Sequence, residues 1–426
     1  MDNRGQLWSL TLGLSVSATT AALELAVVFV LTVVASQAAQ AQTLHVLHNF
    51  TGQDGAAPYA GLTERQGNLY GDTPFLGPYG AGTVYELQRT GSNCVFNTLY
   101  SFTGGDDGYL PEAGVTFGPD GLLYGGTAAG GKGYGVVFSL RPPATFCRSV
   151  PCPWTENVLY PFQDGSDGSY DAYSAPVFDR AGNIYGTTPL GGAYGLGTVY
   201  QLAPSGNGWR EKVIYSFAGP DGFSPVSGII LDSTGNLYST TLSGGSGNAG
   251  TVFELSPLGS GWTEKVIYSF QNGSDGSRPA VALIFDLSGN LYGATSTGGS
   301  GGGGTVFKLS PAGDSWTYSL LYSFTGSPNC GPNRGATLAL SDAGNLYGTT
   351  NCDGTYGYGS IFKLTQSGSR WIYTSLHDFT GGSDGGYPFS NVVFDTNGDL
   401  YGTAAFGGDL NCNAPYGCGI VWELTP

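Results

Sequence analysis

The sequence predicts an all-β protein: one seven-bladed β-propeller built from four-stranded antiparallel blades. Three observations predict it, namely a sevenfold internal repeat, four strand-like segments in each repeat, and a last repeat that lacks its final strand. Composition agrees, because 73 glycines, 27 tyrosines and 22 phenylalanines among 426 residues suit short aromatic strands joined by tight turns. The chain after residue 41 shows no sustained helical period, so almost no helix is expected.

One short signature recurs seven times along the chain. The copies are "NLYGDT" at 68, "LLYGGT" at 122, "NIYGTT" at 183, "NLYSTT" at 236, "NLYGAT" at 290, "NLYGTT" at 345 and "DLYGTA" at 399. Intervals of 53–55 residues separate them, apart from one of 61 residues that contains the insertion "PPATFCRSVPCP". A period of this length indicates a repeat architecture rather than a series of unrelated domains.

Each repeat contains four segments, labelled A to D here. They follow the patterns "ALIFDLSG", "NLYGAT", "GTVFKL" and "WTEKVIYSF", and turn residues separate them. Short β-branched and aromatic runs bounded by glycine, asparagine and aspartate are typical of strands. Four such strands in every repeat favour propeller blades, because radial packing buries both faces of sheets too small to be stable alone.

The two ends of the chain complement each other. The last repeat stops after "GIVWELTP" with segments A, B and C, whereas "TLHVLHNF" at 43–50 is a D segment without a blade of its own. We expect residues 43–50 to complete the C-terminal blade, which removes an open sheet edge. The expected organisation is a signal peptide at 1–41 and a single propeller at 42–426.

The N-terminus has the pattern of an export signal. Arg4 precedes an apolar run at Leu25–Ala35, and the small-residue site Ala39-Gln40-Ala41 follows it. The run is too short to span a bilayer comfortably, so we expect cleavage after Ala41 and no membrane span in the mature chain. The expected location is the periplasm, the cell surface or the medium.

Seven cysteines follow the signal, and cysteines of exported chains commonly pair. Shared or neighbouring loops predict three disulfides: Cys147–Cys152, Cys330–Cys352 and Cys412–Cys418. Cys94 is left over, as a free thiol or an intermolecular one. The spacing matches no zinc-binding pattern.

The charge balance limits the partners. A formal net charge of −16, with only 15 lysines and arginines, repels phosphate backbones, so nucleic acid is not expected as a partner. The negative charge favours binding of a cation, and it does not oppose binding of a neutral ligand such as a sugar. The alternative is that the acidity only keeps the protein soluble. We expect a monomer.

The combined pattern of "GNLYGTT", a glycine-rich loop and "GTVF-x-L" resembles the GloVer tandem repeat of secreted bacterial proteins, over residues 43–426. The resemblance implies export and no established activity. The segment "FDLSGNLYG" also resembles the inner hairpin of NHL and lactonase-type propellers, which concerns the fold only.

Catalytic candidates are few. The histidines are His45, His48 and His377, and the last two take the position that tyrosine holds in other repeats, which favours packing. No H-E-x-x-H, G-x-S-x-G or Walker A motif occurs. Aspartates at the A–B turns are predicted to stabilise those turns through their own backbone: Asp179, Asp232, Asp286 and Asp395.

A second set of aspartates lies between segments D and A, each followed by glycine: Asp54, Asp107, Asp167, Asp221, Asp275 and Asp384, with Asn329 in the remaining blade. Because D–A and B–C loops emerge on the same face, these residues are expected to surround one mouth of the propeller. They are predicted to be turn residues. The alternative is weak binding of a divalent cation such as Ca²⁺.

The residues just before each A segment break the repeat, and they are expected at the same mouth: Tyr59, Tyr109, Glu112, Tyr170, Asp171, Tyr173, Phe223, Arg278, Arg334 and Tyr387. Aromatic residues with a few charges suit binding of a carbohydrate or a peptide. The alternative is that these loops have diverged in sequence without a binding role. The working hypothesis is therefore an exported, non-enzymatic binding or cell-surface scaffold. The alternative is a secreted glycan hydrolase, lyase or lactonase-like enzyme, with Glu112 and Asp171 as a candidate carboxylate pair.

Overall fold

The computed structural model describes residues 42–90, 93–144, 154–163, 165–169, 175–206, 208–333 and 336–425. The signal peptide expected at 1–41 and the expected Cys147–Cys152 pair lie outside these ranges. Residues Thr43–Thr425 form one compact unit. Nothing in the described part of the chain is a helix long and apolar enough to cross a membrane.

The described residues form strands in four concentric layers. The innermost strands, in position A, are β2 (Thr63–Arg65), β6 (Val115–Phe117), β10 (Val177–Phe178), β14 (Ile230–Leu231), β18 (Ile284–Phe285), β22 (Ala339–Leu340) and β26 (Val393–Phe394). The strands in position B are β3 (Asn68–Thr73), β7 (Leu123–Gly126), β11 (Ile184–Thr188), β15 (Leu237–Thr241), β19 (Leu291–Thr295), β23 (Leu346–Thr350) and β27 (Leu400–Ala404).

The outer two layers are longer. The strands in position C are β4 (Thr83–Thr90), β8 (Val136–Arg141), β12 (Thr198–Ser205), β16 (Thr251–Leu258), β20 (Thr305–Ala312), β24 (Ser360–Ser367) and β28 (Ile420–Thr425). The outermost strands, in position D, are β5 (Asn93–Ser101), β9 (Thr155–Pro161), β13 (Gly208–Ser216), β17 (Gly261–Ser269), β21 (Ser315–Ser323), β25 (Arg370–Asp378) and β1 (Thr43–Asn49).

The predicted fold and its closure are confirmed. The strands form seven four-stranded antiparallel sheets, and the seventh has the order β1-β28-β27-β26. Strand β1 pairs with β28 from Thr43 opposite Thr425 to Asn49 opposite Ile420. The backbone amide of Phe50 extends this pairing to the Gly419 carbonyl at 3.0 Å. The N-terminal strand therefore covers the edge that the C-terminal blade would otherwise expose.

The glycine of the "LYG" signature, which six of the seven copies hold, is explained by close packing inside the blade. A Cβ atom at Gly293 would lie 2.6 Å from the ring of Phe307, which belongs to strand C of the same blade. Phe307 is fully buried, and every residue of β19 is buried as well. The glycine therefore marks the position where an aromatic ring of strand C packs directly against the backbone of strand B.

The A–B turns use aspartate as turn chemistry predicts. Asp232 Oδ1 accepts hydrogen bonds from the amides of Thr234 and Asn236 at 2.8 and 3.0 Å, and the Tyr238 hydroxyl donates to Oδ2 at 3.3 Å. Burial alone would raise the pKa of Asp232, but these and the other hydrogen bonds of the turn outweigh it and lower the pKa. These aspartates stabilise the hairpins on the face opposite the D–A loops.

Candidate functional site

The D–A and B–C loops share one face of the ring, which we call the loop face, and they pair with each other. In six blades a D–A residue forms a β-bridge with a B–C residue of the same blade: Ala56–Phe75, Tyr109–Ala129, Ser169–Leu190, Phe223–Ser243, Ser277–Thr297 and Gly386–Phe406. The amide of Tyr109, for example, donates to the Ala129 carbonyl at 2.7 Å. The loops therefore form a connected surface rather than separate projections.

Two disulfides strengthen this surface. Cys330–Cys352 joins the D–A and B–C loops of the sixth blade, and Cys412–Cys418 closes the B–C loop of the seventh. Both pairings were predicted from the sequence and are confirmed. Cys94 is a free thiol on β5. Disulfides persist in oxidising compartments, so the two bonds indicate that the chain folds in such an environment.

The six Asp-Gly aspartates of the loop face contact donors of their own loops. Asp107 Oδ2 accepts hydrogen bonds from the Thr103 amide at 2.7 Å and the Tyr100 hydroxyl at 3.1 Å, and Oδ1 accepts one from the Gly105 amide at 3.2 Å. Similar contacts are made by Asp54, Asp167, Asp221, Asp275 and Asp384. The described residues contain no group of three or more histidine, cysteine, aspartate or glutamate side chains placed to hold a metal ion.

Two histidines take the place of the tyrosines in this arrangement. His48 Nε2 lies 2.9 Å from Asp54 Oδ2, and His377 Nε2 lies 3.1 Å from Asp384 Oδ2. Tyr268 makes the equivalent contact with Asp275 through its hydroxyl at 3.1 Å. The histidines therefore perform the structural task of the tyrosine.

The residues predicted at the mouth are dispersed among several environments. Tyr59 and Tyr387 belong to a cluster of aromatic rings, and Glu112 lines a cavity on the propeller axis. Tyr109 packs against the core between the first two blades, and Arg278 is exposed.

The remaining mouth residues complete the picture. Phe223 is half-buried on its loop. Tyr170, Asp171, Tyr173 and Arg334 lie outside the described residues. The Glu112–Asp171 carboxylate pair therefore stays a prediction.

Seven aromatic side chains form a continuous band across the sixth, seventh and first blades, which we call the aromatic arc: Tyr358, Tyr387, Phe406, Tyr416, Phe389, Tyr59 and Phe75. Ring centroids lie 5.7 Å apart for Tyr358–Tyr387, 5.5 Å for Tyr387–Phe406, 6.5 Å for Phe406–Tyr59 and 5.8 Å for Tyr59–Phe75. Phe389 and Tyr416 join at 5.3 Å from Tyr59 and 6.2 Å from Phe406. These distances are within the range of favourable aromatic contacts, so the rings support one another.

A side pocket opens within the arc. It has a volume of about 290 Å³, and Tyr59, Phe75 and Phe406 line it together with Leu76 and Asn413. Its residues come from the D–A and B–C loops of the first blade and the B–C loop of the seventh. The pocket therefore depends on closure of the ring.

Four B–C loops carry an exposed tyrosine at the same position, three residues before the glycine that precedes strand C: Tyr79, Tyr194, Tyr356 and Tyr416. Their exposed fractions are 66, 65, 59 and 63%. Such exposure is high for a large aromatic ring. Because the four tyrosines occupy equivalent positions, they give the loop face more accessible aromatic surface than a single exposed residue would.

The backbone of the loop face holds several side chains in an unfavourable conformation. Tyr387 and Arg278 have φ angles of 54° and 58°, and Leu110 and Ser224 take the same conformation at the same position of other blades. A residue with a Cβ in this region costs roughly 1–2 kcal/mol compared with ordinary backbone. The surrounding loop contacts therefore hold these residues in place.

The cavity on the axis lies where the inner strands begin. Its volume is about 270 Å³, and small residues such as Gly61, Gly114 and Ala280 form most of the wall. Glu112 is the one charged side chain among its described lining residues. Asp72, on β3, lies behind this wall and accepts a hydrogen bond from the Gly114 amide at 3.0 Å.

Sequence reasoning did not identify Asp72 or most of the arc. The available signal for Asp72 was its departure from the repeat, because the same position holds Thr187, Thr240, Thr349 and Thr403 in four other blades. Phe75, Phe406 and Tyr358 lie in B–C loops, whereas attention to residues before strand A selects only D–A loops. Their convergence on Tyr59 and Tyr387 is a property of the closed ring.

The fold and the loop face define a closed, disulfide-bonded β-propeller with a band of aromatic side chains on one face. The chain belongs to the Gloeobacter/Verrucomicrobia repeat family, whose model matches residues 15–152, 149–326 and 261–426. The resemblance predicted from the repeats is thereby confirmed. No curated protein matches the chain.

Several solved structures are similar to the chain at low sequence identity. A gluconolactonase from Xanthomonas campestris is 14% identical with a TM-score of 0.42, over 74% of this chain and 86% of its own. A putative 6-phosphogluconolactonase from Bacteroides uniformis is 13% identical with a TM-score of 0.47, over 75% of this chain and 84% of its own. A protein of unknown function from Dyadobacter fermentans is 12% identical with a TM-score of 0.44, over 90% and 98%. Similarity at this level carries no argument about activity.

Proposed function

We propose that this protein is an exported, non-enzymatic binding or cell-surface scaffold that recognises a polysaccharide on its loop face. The aromatic arc carries the proposal, because sugar rings present apolar C–H faces that stack on aromatic side chains while their hydroxyls remain in water. A continuous series of rings suits an extended polymer better than a single small molecule. A peptide is the other ligand that this surface could take.

The rigidity of the loop face supports a recognition role. Loops that are already ordered lose little conformational entropy when a ligand binds. The Cys412–Cys418 disulfide lies in the loop that carries Phe406 and Tyr416, and Cys330–Cys352 fixes the loop that carries Tyr358. The strained backbone of Tyr387 lies between them. Strain of this kind concentrates where a side chain is needed in a particular place.

The two disulfides also support export, since they belong to an oxidising environment. The N-terminal pattern with its Ala39-Gln40-Ala41 cleavage site is the proposed route. N-terminal sequencing of the protein recovered from a periplasmic or culture fraction tests this part. A mature chain that begins at Gln42 supports it, and an intact N-terminus contradicts it.

Binding is tested by co-sedimentation with insoluble cellulose, chitin and peptidoglycan, followed by calorimetry with soluble oligomers of the retained polymer. We expect Tyr59→Ala and Phe406→Ala each to weaken binding at least about tenfold, on the scale of a lost aromatic stacking contact. Tyr416→Ala is matched by Tyr194→Ala. Both remove an exposed tyrosine at the same loop position, but of these two described residues only Tyr416 contacts another ring of the arc.

Equal effects of the Tyr416 and Tyr194 variants would contradict recognition by the arc. Retention of no polysaccharide, together with binding of a peptide library, would replace the polysaccharide with a peptide. Shortened products after incubation with the retained polymer would favour the hydrolase or lyase alternative over a scaffold. Thermal unfolding of each variant shows that a loss of binding is not a loss of fold.

A further inference from the structure

The cavity on the axis is distinct from the side pocket of the arc and has its own chemistry. Its volume of about 270 Å³ corresponds to roughly nine waters at the liquid volume of one water. That space accommodates one sugar ring or one side chain, but no polymer. Its polar lining includes Thr63, whose hydroxyl donates to the Val115 carbonyl, and Asn391, whose amide pairs with the backbone of Leu62.

Glu112 connects the cavity to the aromatic arc. Glu112 lines the cavity. The pKa of Tyr59 in the arc is raised mainly by burial of Tyr59, and the negative charge of Glu112 adds to the shift. The same position holds Tyr59, Val226, Ala280 and Phe389 in other described blades. A carboxylate has therefore replaced an uncharged residue at the junction of the two cavities.

Asp72 places a second carboxyl group behind the first. Its side chain is 1% exposed, and its Oδ1 atom has no hydrogen-bond partner in the described structure. The nearby Tyr85 hydroxyl, which the charge of Asp72 influences, is likewise buried without a partner. Asp72 Oδ2 contacts the Gly114 amide on the cavity wall. The side chain is thus directed at the wall beside Glu112.

Negative charge predominates on the loop face. Its described loops carry the carboxylates Asp54, Asp106, Asp107, Glu112, Asp167, Asp221, Asp275, Asp353, Asp384 and Asp409. The described basic side chains in these loops are Lys132 and Arg278. With a net charge of −16 for the chain, this face attracts cations over distances of several ångströms.

We propose that the axial cavity binds a primary ammonium group of the ligand, the free amine of a hexosamine residue, through Glu112 with Asp72 behind it. The inference rests on the proposed polysaccharide recognition, since the polymer would lie on the arc while one amino sugar enters the cavity. Glu112 would accept hydrogen bonds from the ammonium group, and a charged hydrogen bond is stronger than a neutral one.

Asp72 gives the site a measurable signature. Burial raises the pKa of Asp72 well above its usual range, the Gly114 amide opposes the shift, and the negative charge of Glu112 adds to it. A cation placed beside the pair favours the ionised carboxylate. We therefore expect a proton to leave Asp72 when the ammonium group binds.

The experiment compares two oligomers with the same backbone: a chitosan pentamer with free amines and the fully N-acetylated pentamer. We expect the wild type to bind the chitosan pentamer at least about tenfold more tightly at mildly acidic pH, where the amines are protonated. Glu112→Gln should remove this preference and leave affinity for the acetylated pentamer unchanged. Asp106→Asn is the matched control, because it removes one exposed carboxylate from the same loop without touching the cavity.

Proton release is measured by calorimetry in two buffers of different ionisation enthalpy. We expect release with the chitosan pentamer, less release in Asp72→Asn, and none with the acetylated pentamer. Equal binding of both pentamers, each dependent on Tyr59 and Phe406, would overturn the amine site and leave the proposed function intact. A preference that Asp106→Asn reduces as much as Glu112→Gln would also overturn it, since that result indicates general charge attraction.

Two further outcomes concern the ligand class. If neither pentamer bound, or if binding did not change in the Tyr59 and Phe406 variants, the proposed function itself would be overturned. Tighter, Glu112-dependent binding of an oligolysine than of the chitosan pentamer would assign the cavity to a basic peptide and overturn the amino sugar.

Discussion

The seams between neighbouring blades are built in two different ways around the ring. The position compared lies in strand D of each blade, six residues before the phenylalanine that follows the strand. In the fourth blade, for example, it is Glu264, six residues before Phe270. The position holds Glu156, Glu211 and Glu264 in the second to fourth blades, and Phe96, Tyr318 and Tyr373 in the first, fifth and sixth. We call the first group the acid seams and the second group the aromatic seams. The backbone frame is the same in both.

The aromatic seams are closed by stacking. Tyr318 stacks on Tyr268 of the preceding blade with centroids 4.6 Å apart, and its hydroxyl donates to the Asp275 carbonyl at 2.9 Å. Tyr373 stacks on Tyr322 at 4.8 Å. None of these contacts requires a group that titrates near neutral pH.

The acid seams contain a carboxyl group where the aromatic seams contain a ring. The Oε1 atoms of Glu156, Glu211 and Glu264 are buried and have no hydrogen-bond partner in the described structure. Burial, and then the charge of Asp221, raise the pKa of Glu264 to about 7. Asp107 and Asp167 affect Glu156 and Glu211 in the same way.

The comparison of the Tyr318 seam with the acid seams indicates that a hydrogen-bond donor is favoured at this position in those blades. A protonated glutamate offers an O–H group, as Tyr318 does, whereas an ionised glutamate faces the neighbouring aspartate with like charge. The Tyr318 and Tyr373 seams should therefore be indifferent to pH and the acid seams sensitive to it. Each prediction below alters one side of this comparison.

The largest effect is expected from Tyr318→Glu, which converts an aromatic seam into an acid seam. The variant should lose about 3 kcal/mol of unfolding free energy at about pH 8, because the stack and the hydrogen bond disappear and a carboxylate meets Asp275. The loss should be smaller at about pH 5, where the new side chain is protonated. Urea unfolding at both pH values measures it. An equal loss at both would contradict the role of protonation.

The next effect is the pH dependence of the wild type. Each glutamate has a pKa of about 7 in the folded protein against 4.5 in a free side chain. The folded state therefore binds more protons between these values, and its stability falls as the pH rises through about 7. Because the groups are partly solvent-screened, we expect a loss of about 1 kcal/mol for each glutamate.

The triple variant Glu156→Gln, Glu211→Gln, Glu264→Gln removes this dependence while keeping a donor at each seam. The difference in unfolding free energy between wild type and variant isolates the three glutamates, since all other titrating groups are shared. We expect the variant to be the more stable protein at about pH 8 and similar to the wild type at about pH 5. A constant difference across this range would show that the seams do not titrate.

A smaller effect is expected from Asp72→Thr, which removes the second buried acid of the seam between the first two blades. A threonine there should donate to the next blade, as Thr240 does to the Pro279 carbonyl at 2.7 Å. The gain should be about 1–2 kcal/mol at neutral pH, the scale of relieving an unsatisfied buried polar atom. The reciprocal variant Thr240→Asp should destabilise the protein. Opposite signs for the two variants confirm the assignment, and the same sign contradicts it.

The smallest effect is expected from Tyr318→Phe, which keeps the stack and removes only the hydrogen bond to Asp275. We expect a loss of about 0.5–1 kcal/mol that does not change between about pH 5 and 8. Thermal unfolding at both pH values measures it. A loss as large as that of Tyr318→Glu would mean that the hydroxyl, and not the ring, closes the aromatic seam.

Much of the frame is predictable from sequence because it follows from local pattern and period. The seven copies of the "LYG" signature predict the seven blades, and the unpaired D segment at 43–50 predicts the closure. Cys330–Cys352 and Cys412–Cys418 are predictable because their loops are adjacent in the repeat. The candidate site is only partly predictable. Tyr59 and Tyr387 stand out, but Phe406 and Phe75 do not.

By itself, the sequence determined the blade count, the strand order and the closing strand, because turn residues and strand periodicity act over a few neighbouring residues. Only the tertiary structure decided which side chains meet. Ring closure brings the ring of Tyr59, in the first blade, to 6.5 Å from the ring of Phe406, in the seventh. Radial packing likewise sets Glu264 beside Asp221 and Asp72 beside Glu112. Contacts between blades depend on burial and distance in the closed ring, and no local pattern encodes them.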